Sequence, residues 1–364
     1  MNPLAELIVA AEERGFEAHV APAELPEARR RAFLAWLERG MHAGMTYMAR
    51  NPEARLHPQR RFPWFKSALV LSLPYGYAPP PRPAGGLRRG RVARYAWVRD
   101  YHLRTEPHLR ALEELCGRLG GTCRGYVDHG PVLETAYAEA TGAGWIGRNG
   151  LWLQVRGGSY QHLAVLLTPW EAETPGPHPD RCGSCRACVA HCPTGAIVAD
   201  GVVDARRCVS YWTIEHRGLV PLELWEGIGD WLFGCDDCQT VCPWNRFARA
   251  PKGLEPDPEL AWPDLEAFFT LSNRAFARRY AGSTFVRSGR PRLARNALVV
   301  LTGRDPEALG GLLPRALADP SPLVRATAAA AAVRLGRPAD AERTLAQLDD
   351  AGRAYVRQAS EVFG

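Results

Sequence analysis

No stretch of this chain approaches the roughly eighteen uncharged apolar residues that a membrane-spanning helix needs. The first residues, Met1 to Glu6, lead into an apolar run that ends at Glu12-Glu13-Arg14. That run is too short and too acidic for a secretory leader, so the expected compartment is the cytoplasm. Cysteine is nearly missing from most of the 364 residues: eight of the ten lie between 182 and 242, and only Cys116 and Cys123 stand apart. Acidic residues are missing from 271–304, which holds eight arginines. What is plentiful is ordinary: 46% hydrophobic and 23% charged residues describe a folded chain with sizeable cores. The length suggests two or three domains.

A cysteine cluster in a cytosolic chain reads as a metal site rather than a disulfide framework. Cys182, Cys185, Cys188 and Cys192-Pro193 follow C-x2-C-x2-C-x3-C-P, the bacterial ferredoxin run, and Cys208, Cys235, Cys238 and Cys242-Pro243 form a second, stretched run. Two-residue gaps let the chain wrap a 4Fe–4S cube, while the fourth cysteine of each run crosses to the other cluster. The expected ligand sets are therefore Cys182, Cys185, Cys188 and Cys242 for one cluster and Cys192, Cys208, Cys235 and Cys238 for the other. A pair of four-cysteine zinc sites accounts for the eight cysteines but not for the paired Cys-Pro endings. Cys116 and Cys123 are read as buried small hydrophobes or inert thiols.

The remaining pattern divides the chain. Before residue 175, helical periods (Arg30 to Arg39, Glu106 to Leu119) alternate with apolar strand-like runs at Ala68–Leu73 and His162–Leu167. Proline-rich loops at 78–86 and 173–179 interrupt them, and Pro251, Gly253, Pro256 and Pro258 mark a linker. Beyond it, Leu293 to Leu301 and Ala308 to Leu317 read as paired helices. Ser321-Pro322 opens a further helix as N-cap and first-turn proline, and Gly336 suits its C′ position. The phrase Asp319 to Ala328 is similar to the second-helix opening of a HEAT repeat.

Long phrases resemble the epoxyqueuosine reductase family: Cys192 to Ile197, Asp204 to Glu215, and Gly234 to Asn245. So do Arg91 to Trp97, Asp100-Tyr101-His102, Val127-Asp128, Pro131 to Glu134, Gly144 to Gly150, Arg287 to Arg290 and Leu293 to Ala297. The resemblance implies three parts: an α/β cobalamin-binding domain over 1–175, a ferredoxin-like insert with two 4Fe–4S clusters over 176–250, and an α-helical HEAT-like, tRNA-binding domain over 260–364. It implies reduction of epoxyqueuosine to queuosine at the wobble position of a tRNA, as the last step of queuosine biosynthesis, with electrons from an unidentified donor. Alternatives from other classes are a reductive dehalogenase-like cobalamin enzyme, a dicluster ferredoxin-type electron carrier and a zinc-stabilised RNA-binding protein.

The resemblance also implies roles for residues. Asp128 is the expected proton donor; without the resemblance it reads as a turn aspartate capping a helix over Glu134 to Ala140. Arg55, Asp128, Gly147, Arg148, Asn149 and Ser210 are the expected cobalamin contacts. The chain departs from the family at Arg148, usually lysine, and at Tyr160, usually tryptophan. His42, His57 and His102 are read as hydrogen-bonded histidines, not cobalt ligands. Arg287, Arg290, Arg292 and Arg295, within the acid-free stretch, are the expected tRNA contacts, because clustered arginines suit a phosphate backbone. The competing expectation is a solvated face with ion pairs to Glu255–Glu266. Trp212, Trp225, Trp231 and Trp244 are read mainly as core or cluster-shielding residues.

Overall fold

The computed structural model describes residues 2–84, 88–251 and 253–363. The chain forms two compact units, each assembled from three separate segments. The first comprises residues 1–78, 100–206 and 237–255, and the second residues 79–99, 207–236 and 256–364. Among the described residues no helix is long and apolar enough to cross a membrane.

The first unit is built on a four-stranded antiparallel sheet in the order Glu17–Pro22, Ser67–Pro74, Gln161–Thr168, Arg124–Tyr126. Its two central strands are the two apolar runs read from the sequence. They are apolar without alternation because both faces of the sheet are covered. Leu69, Leu71, Leu73, Ala164 and Leu166 face one core, with helices Pro3–Glu13 and Tyr101–Arg118. Ala68, Val70, Val165 and Leu167 face the other, with helix Glu134–Ala140. The two-residue period of a strand sends neighbours to opposite faces.

Cys116 and Cys123 are buried, as read, but they are not inert thiols. They form a disulfide that ties the end of helix Tyr101–Arg118 to the start of strand Arg124–Tyr126. The pairing was hidden in the sequence because the Gly120-Gly121 turn that brings the two together carries no signal of its own for oxidation.

The second unit is mostly helical. Helices Arg290–Arg304, Pro306–Leu317, Pro322–Arg334, Pro338–Leu345 and Asp350–Phe363 follow one another. Ser321 does stand at the N-cap of its helix, although its side chain makes no capping bond. Gly336 adopts φ 69° just past the helix, a left-handed value that glycine takes without a Cβ penalty. A short parallel pair, Arg91–Val92 with Trp231–Phe233, completes this unit. Residues 78–84 of the first proline-rich loop carry no regular structure; Gly85 and Gly86 lie outside the described residues.

Candidate redox and proton-donor sites

Cys182, Cys185, Cys188 and Cys242 line one cavity of the first unit, together with Gly147, Arg148, Asn149 and Trp244. The chain folds this way locally because the short helix Ala187–His191 closes the first run and the Pro243–Phe247 turn follows Cys242. The four thiols face one another. Burial pushes the Cys188 and Cys242 thiols up, and their sulfur neighbours push the same way: Cys182 and Cys185 on Cys188, Cys182 and Cys188 on Cys242. Backbone N–H groups of Val189, Trp244 and Asn245 oppose that shift by donating to the sulfurs. Converging thiolates with inward amides are the donor set a 4Fe–4S cube requires. The cradle is also shaped for it. A Cβ at Gly147 would clash with Leu153 and sit 3.6 Å from the Cys182 sulfur.

The other four cysteines are free of disulfides as well. Cys192 and Cys238 belong to the first unit, Cys208 and Cys235 to the second. The Cys192 sulfur accepts the Ala196 N–H at 3.2 Å.

Arg148 is tied to the cysteine loop. Its guanidinium donates to the carbonyls of Cys185, at 2.8 Å, and Gly183, and pairs with Asp200. The side chain anchors the cysteine loop. Gly147 and Asn149 lie at the same cavity. Trp244 also lines it and donates to the Arg181 carbonyl at 3.3 Å. Ser210 precedes the π-helical turn Tyr211–Glu215 in the second unit.

A second constellation lies at the sheet's edge in the first unit. Asp128 follows strand Arg124–Tyr126 and does not cap the next helix, whose N-cap is Leu133. It has φ 57°, and its side chain is 54% exposed. The Nε2 atom of His102 lies 3.6 Å from the Asp128 Oδ2, and its Nδ1 is 2.9 Å from the Asp100 Oδ1. Asp100 is the N-cap of helix Tyr101–Arg118, which fixes the imidazole between the two carboxylates. Tyr101 stacks on His162 at 4.1 Å, and burial pushes the His162 imidazole down to about 3, so that ring stays neutral. Arg55 donates to the Gly130 carbonyl at 2.9 Å and the Tyr47 carbonyl at 3.2 Å. Arg55 and Asp128 thus meet on one loop. Glu134, the first residue of the following helix, faces both of them.

The acid-free arginine stretch divides by burial. Arg290 is 3% exposed and forms a two-bond pair with Asp319 at 2.7 and 2.9 Å, besides donating to Asn273 and the Phe268 carbonyl. Arg295 is fully buried. It donates to the carbonyls of Trp212, His216 and Gly218 and to Asn296. Arg292 donates to the carbonyls of Ser288, Ile214 and Arg287. Contrary to the expectation of tRNA contacts, Arg290 and Arg295 cannot meet a phosphate, because their donors are spent inside the fold; both are internal clamps. Burial lowers the Arg295 guanidinium to about 9, with Arg292 pushing the same way. Of the expected ion pairs to the acidic stretch, Arg279 approaches Glu259 at 3.8 Å. Arg274, Arg278, Arg279, Arg287 and Arg304 are exposed. Trp225 and Trp231 are core residues, as read.

The cysteine cavity and the two ferredoxin runs define an iron–sulfur protein. The model of the "4Fe-4S double cluster binding domain" family matches residues 181–245, which include all eight cysteines. The model described as "Epoxyqueuosine reductase QueG, DUF1730" matches residues 55–129, from Arg55 to just past Asp128. The epoxyqueuosine reductase of Pseudomonas aeruginosa is 42% identical over 302 residues, 80% of this chain and 82% of that protein. The Vibrio cholerae epoxyqueuosine reductase is 39% identical over 287 residues, 76% of each chain. A crystal structure of an epoxyqueuosine reductase with an epoxyqueuosine-modified tRNA-Tyr stem loop superposes with TM-score 0.89 at 30% identity, covering 99% of this chain and 98% of that one. The chain belongs to the epoxyqueuosine reductase family, and it is an oxidoreductase.

Proposed function

We propose that this enzyme reduces epoxyqueuosine to queuosine at the wobble position of tRNA, as the last step of queuosine biosynthesis, with cobalamin and two 4Fe–4S clusters. The observation that carries the reading is the open, oriented carboxyl of Asp128, held by the Asp100–His102 pair in a chain of this family. The reaction takes up two electrons and two protons, breaks both epoxide C–O bonds, forms the ring double bond and releases water. Bound cobalamin supplies a cobalt centre reducible enough to deliver electron pairs to carbon.

The protein's own residues supply the rest. Cys182, Cys185, Cys188 and Cys242 hold one cluster. Cys192, Cys208, Cys235 and Cys238 hold the other, following the ferredoxin crossing rule. Asp128 gives its proton to the epoxide oxygen as it becomes a hydroxyl, acting as general acid. His102, oriented by Asp100 through Nδ1, steadies the carboxyl through Nε2. Arg55 fixes the loop that carries Asp128, and Arg55, Asp128, Gly147, Arg148, Asn149 and Ser210 are the proposed cofactor contacts. The exposed arginines Arg274, Arg278 and Arg287, with Arg292 at their edge, contact tRNA phosphates. The functional partition stays at 1–175 for cofactor and catalysis, 176–250 for the clusters and 260–364 for tRNA. The electron donor is a separate reductant.

The test is mass analysis of tRNA nucleosides from a strain lacking this gene. Epoxyqueuosine should accumulate in place of queuosine, and the wild-type gene should restore queuosine where the Asp128→Asn gene does not. Normal queuosine in the deletion strain would reject the reading.

A further inference from the structure

His162 is a titratable group that the chemistry above leaves unused. It stands on strand Gln161–Thr168, opposite Leu73 of the neighbouring strand, on the sheet face that helix Tyr101–Arg118 covers. Its ring lies nearly parallel to that of Tyr101, with 4.1 Å between centroids and 15° between planes, and it meets Tyr75 at 4.4 Å. Tyr101 in turn lies over the His102 imidazole at 4.3 Å, and Tyr75 meets Tyr160 edge to face at 5.5 Å. The rings of His102, Tyr101, His162, Tyr75 and Tyr160 thus form one continuous stack inside the first unit.

The far end of the stack is anchored. The Tyr75 N–H donates to the Tyr160 carbonyl at 2.9 Å. Ser159 donates its N–H to the Asn245 Oδ1 at 2.7 Å and its hydroxyl to the Gln239 Oε1 at 2.9 Å, in the segment that carries Cys238 and Cys242.

The near end needs that anchor. The last torsion of a histidine side chain is soft. The Nδ1 bond to Asp100 at 2.9 Å fixes one edge of the His102 ring, but 3.6 Å from Nε2 to Asp128 is too long to fix the other. The face of the ring is therefore left to packing. Consecutive residues of a helix do not face each other, so the lean of Tyr101 over its neighbour has to be held from outside the helix. His162 is the ring that lies there. Burial pushes its imidazole down to about 3, and the His102 charge pushes the same way, so it adds no second cation beside the proton-donor site.

We propose that His162 is a positioning residue whose stack on Tyr101 holds the His102 imidazole in place between Asp100 and Asp128. Its consequence for turnover rests on Asp128 being the proton donor; the stack itself is a property of the fold. Without the His162 ring, Tyr101 loses its backing, the imidazole swings about its remaining bond to Asp100, and Nε2 leaves the Asp128 carboxyl.

The test compares His162→Ala and His162→Phe in the full-length holoenzyme. Modification of His102 by diethyl pyrocarbonate, mapped by mass spectrometry, reads the hold on the imidazole independently of turnover. In H162A it should quicken about tenfold, as a local opening made easier by one lost contact, while His108 on the same helix keeps its wild-type rate. In kinetics on an epoxyqueuosine-containing tRNA stem loop, kcat of H162A should fall on the order of tenfold with KM unchanged, the mark of lost orientation rather than lost binding. H162F keeps a flat ring in the stack and should restore both readings. In a His102→Ala background H162A should slow turnover no further, because the two residues act as one. Wild-type reactivity of His102 in H162A would overturn the proposal, as would an H162F variant as impaired as H162A or an equal loss of rate in both backgrounds. Should H162A fail to fold, Tyr101→Leu breaks the stack one ring nearer; unchanged His102 reactivity there would likewise overturn it. If His102 is released in H162A but Asp128→Asn keeps full activity, the stack stands and the proton-donor reading fails.

Discussion

Removing the carboxylate of Asp319 should damage the helical unit far more than it damages RNA binding. Arg290 and Asp319 have side chains only 3% and 4% exposed, and Asp319 also accepts the Ser321 N–H at 2.8 Å. Asp319→Ala strands a guanidinium in the core and orphans a helix-start amide. Breaking a buried pair from one side costs about 3–5 kcal/mol. For a unit of this size, 1 kcal/mol moves the melting temperature by about 2–4 °C, so a drop of about 10 °C is expected. The double replacement Arg290→Met/Asp319→Leu removes both charges, and it should cost less than the sum of the single changes because no lone charge remains buried. Calorimetry on Asp319→Ala, on the double variant and on its two single replacements reads the stability. Filter binding to tRNA across a salt series reads the other role. The slope of log K against log salt should stay at the wild-type value in Arg290→Met. It should fall by about 0.7–0.9 for each phosphate left unneutralised in Arg274→Ala, Arg278→Ala or Arg287→Ala. An Arg290→Met variant with unchanged melting and a reduced salt slope would refute the clamp and return Arg290 to the RNA surface.

Three further outcomes are expected. Asp128→Asn should keep its iron and slow turnover by roughly 10²–10⁴-fold, as loss of a general acid does, measured under single-turnover conditions; an unchanged rate would move the proton source elsewhere. Anaerobically purified protein should contain about eight irons, with Cys185→Ser and Cys235→Ser each losing about four, while stoichiometric zinc would sink the cluster assignment. The third outcome concerns pH and Glu134, whose carboxyl rises from an ordinary 4.5 to about 7 in the fold. Its protonated form is favoured by folding, so its contribution to stability is whole below about 4.5 and is lost as pH rises through about 7. Glu134→Gln should therefore gain on wild type across that window, by at most about 3 kcal/mol in urea unfolding. Parallel pH curves would deny the buried carboxyl.

Much of the first unit was legible because its signals are local. A C-x2-C-x2-C run states its own geometry. The apolar runs at 68–73 and 162–167 read as buried strands, and the sheet they form is covered on both faces. The helix over Glu134 to Ala140 was also read with its correct bounds. Roles that depend on distant partners were not legible. Asp128 looked like a capping residue because the groups that hold its turn, Arg55 and His102, come from other parts of the chain. The arginines of 271–304 were counted as one positive surface. Charge counting cannot see that Arg290 meets Asp319, or that Arg295 is spent on backbone carbonyls between Trp212 and Gly218. The Cys116–Cys123 disulfide depended on a turn geometry that two glycines permit without announcing.

The reductase reading is tested most directly by single-turnover conversion of an epoxyqueuosine-containing tRNA stem loop, anaerobically, by cluster-loaded protein with and without added cobalamin, under a low-potential chemical reductant. The product nucleoside should be lighter by one oxygen, and it should form only when both clusters and cobalamin are present. Conversion at the same rate without cobalamin, or none in the fully loaded protein, would contradict the proposed chemistry.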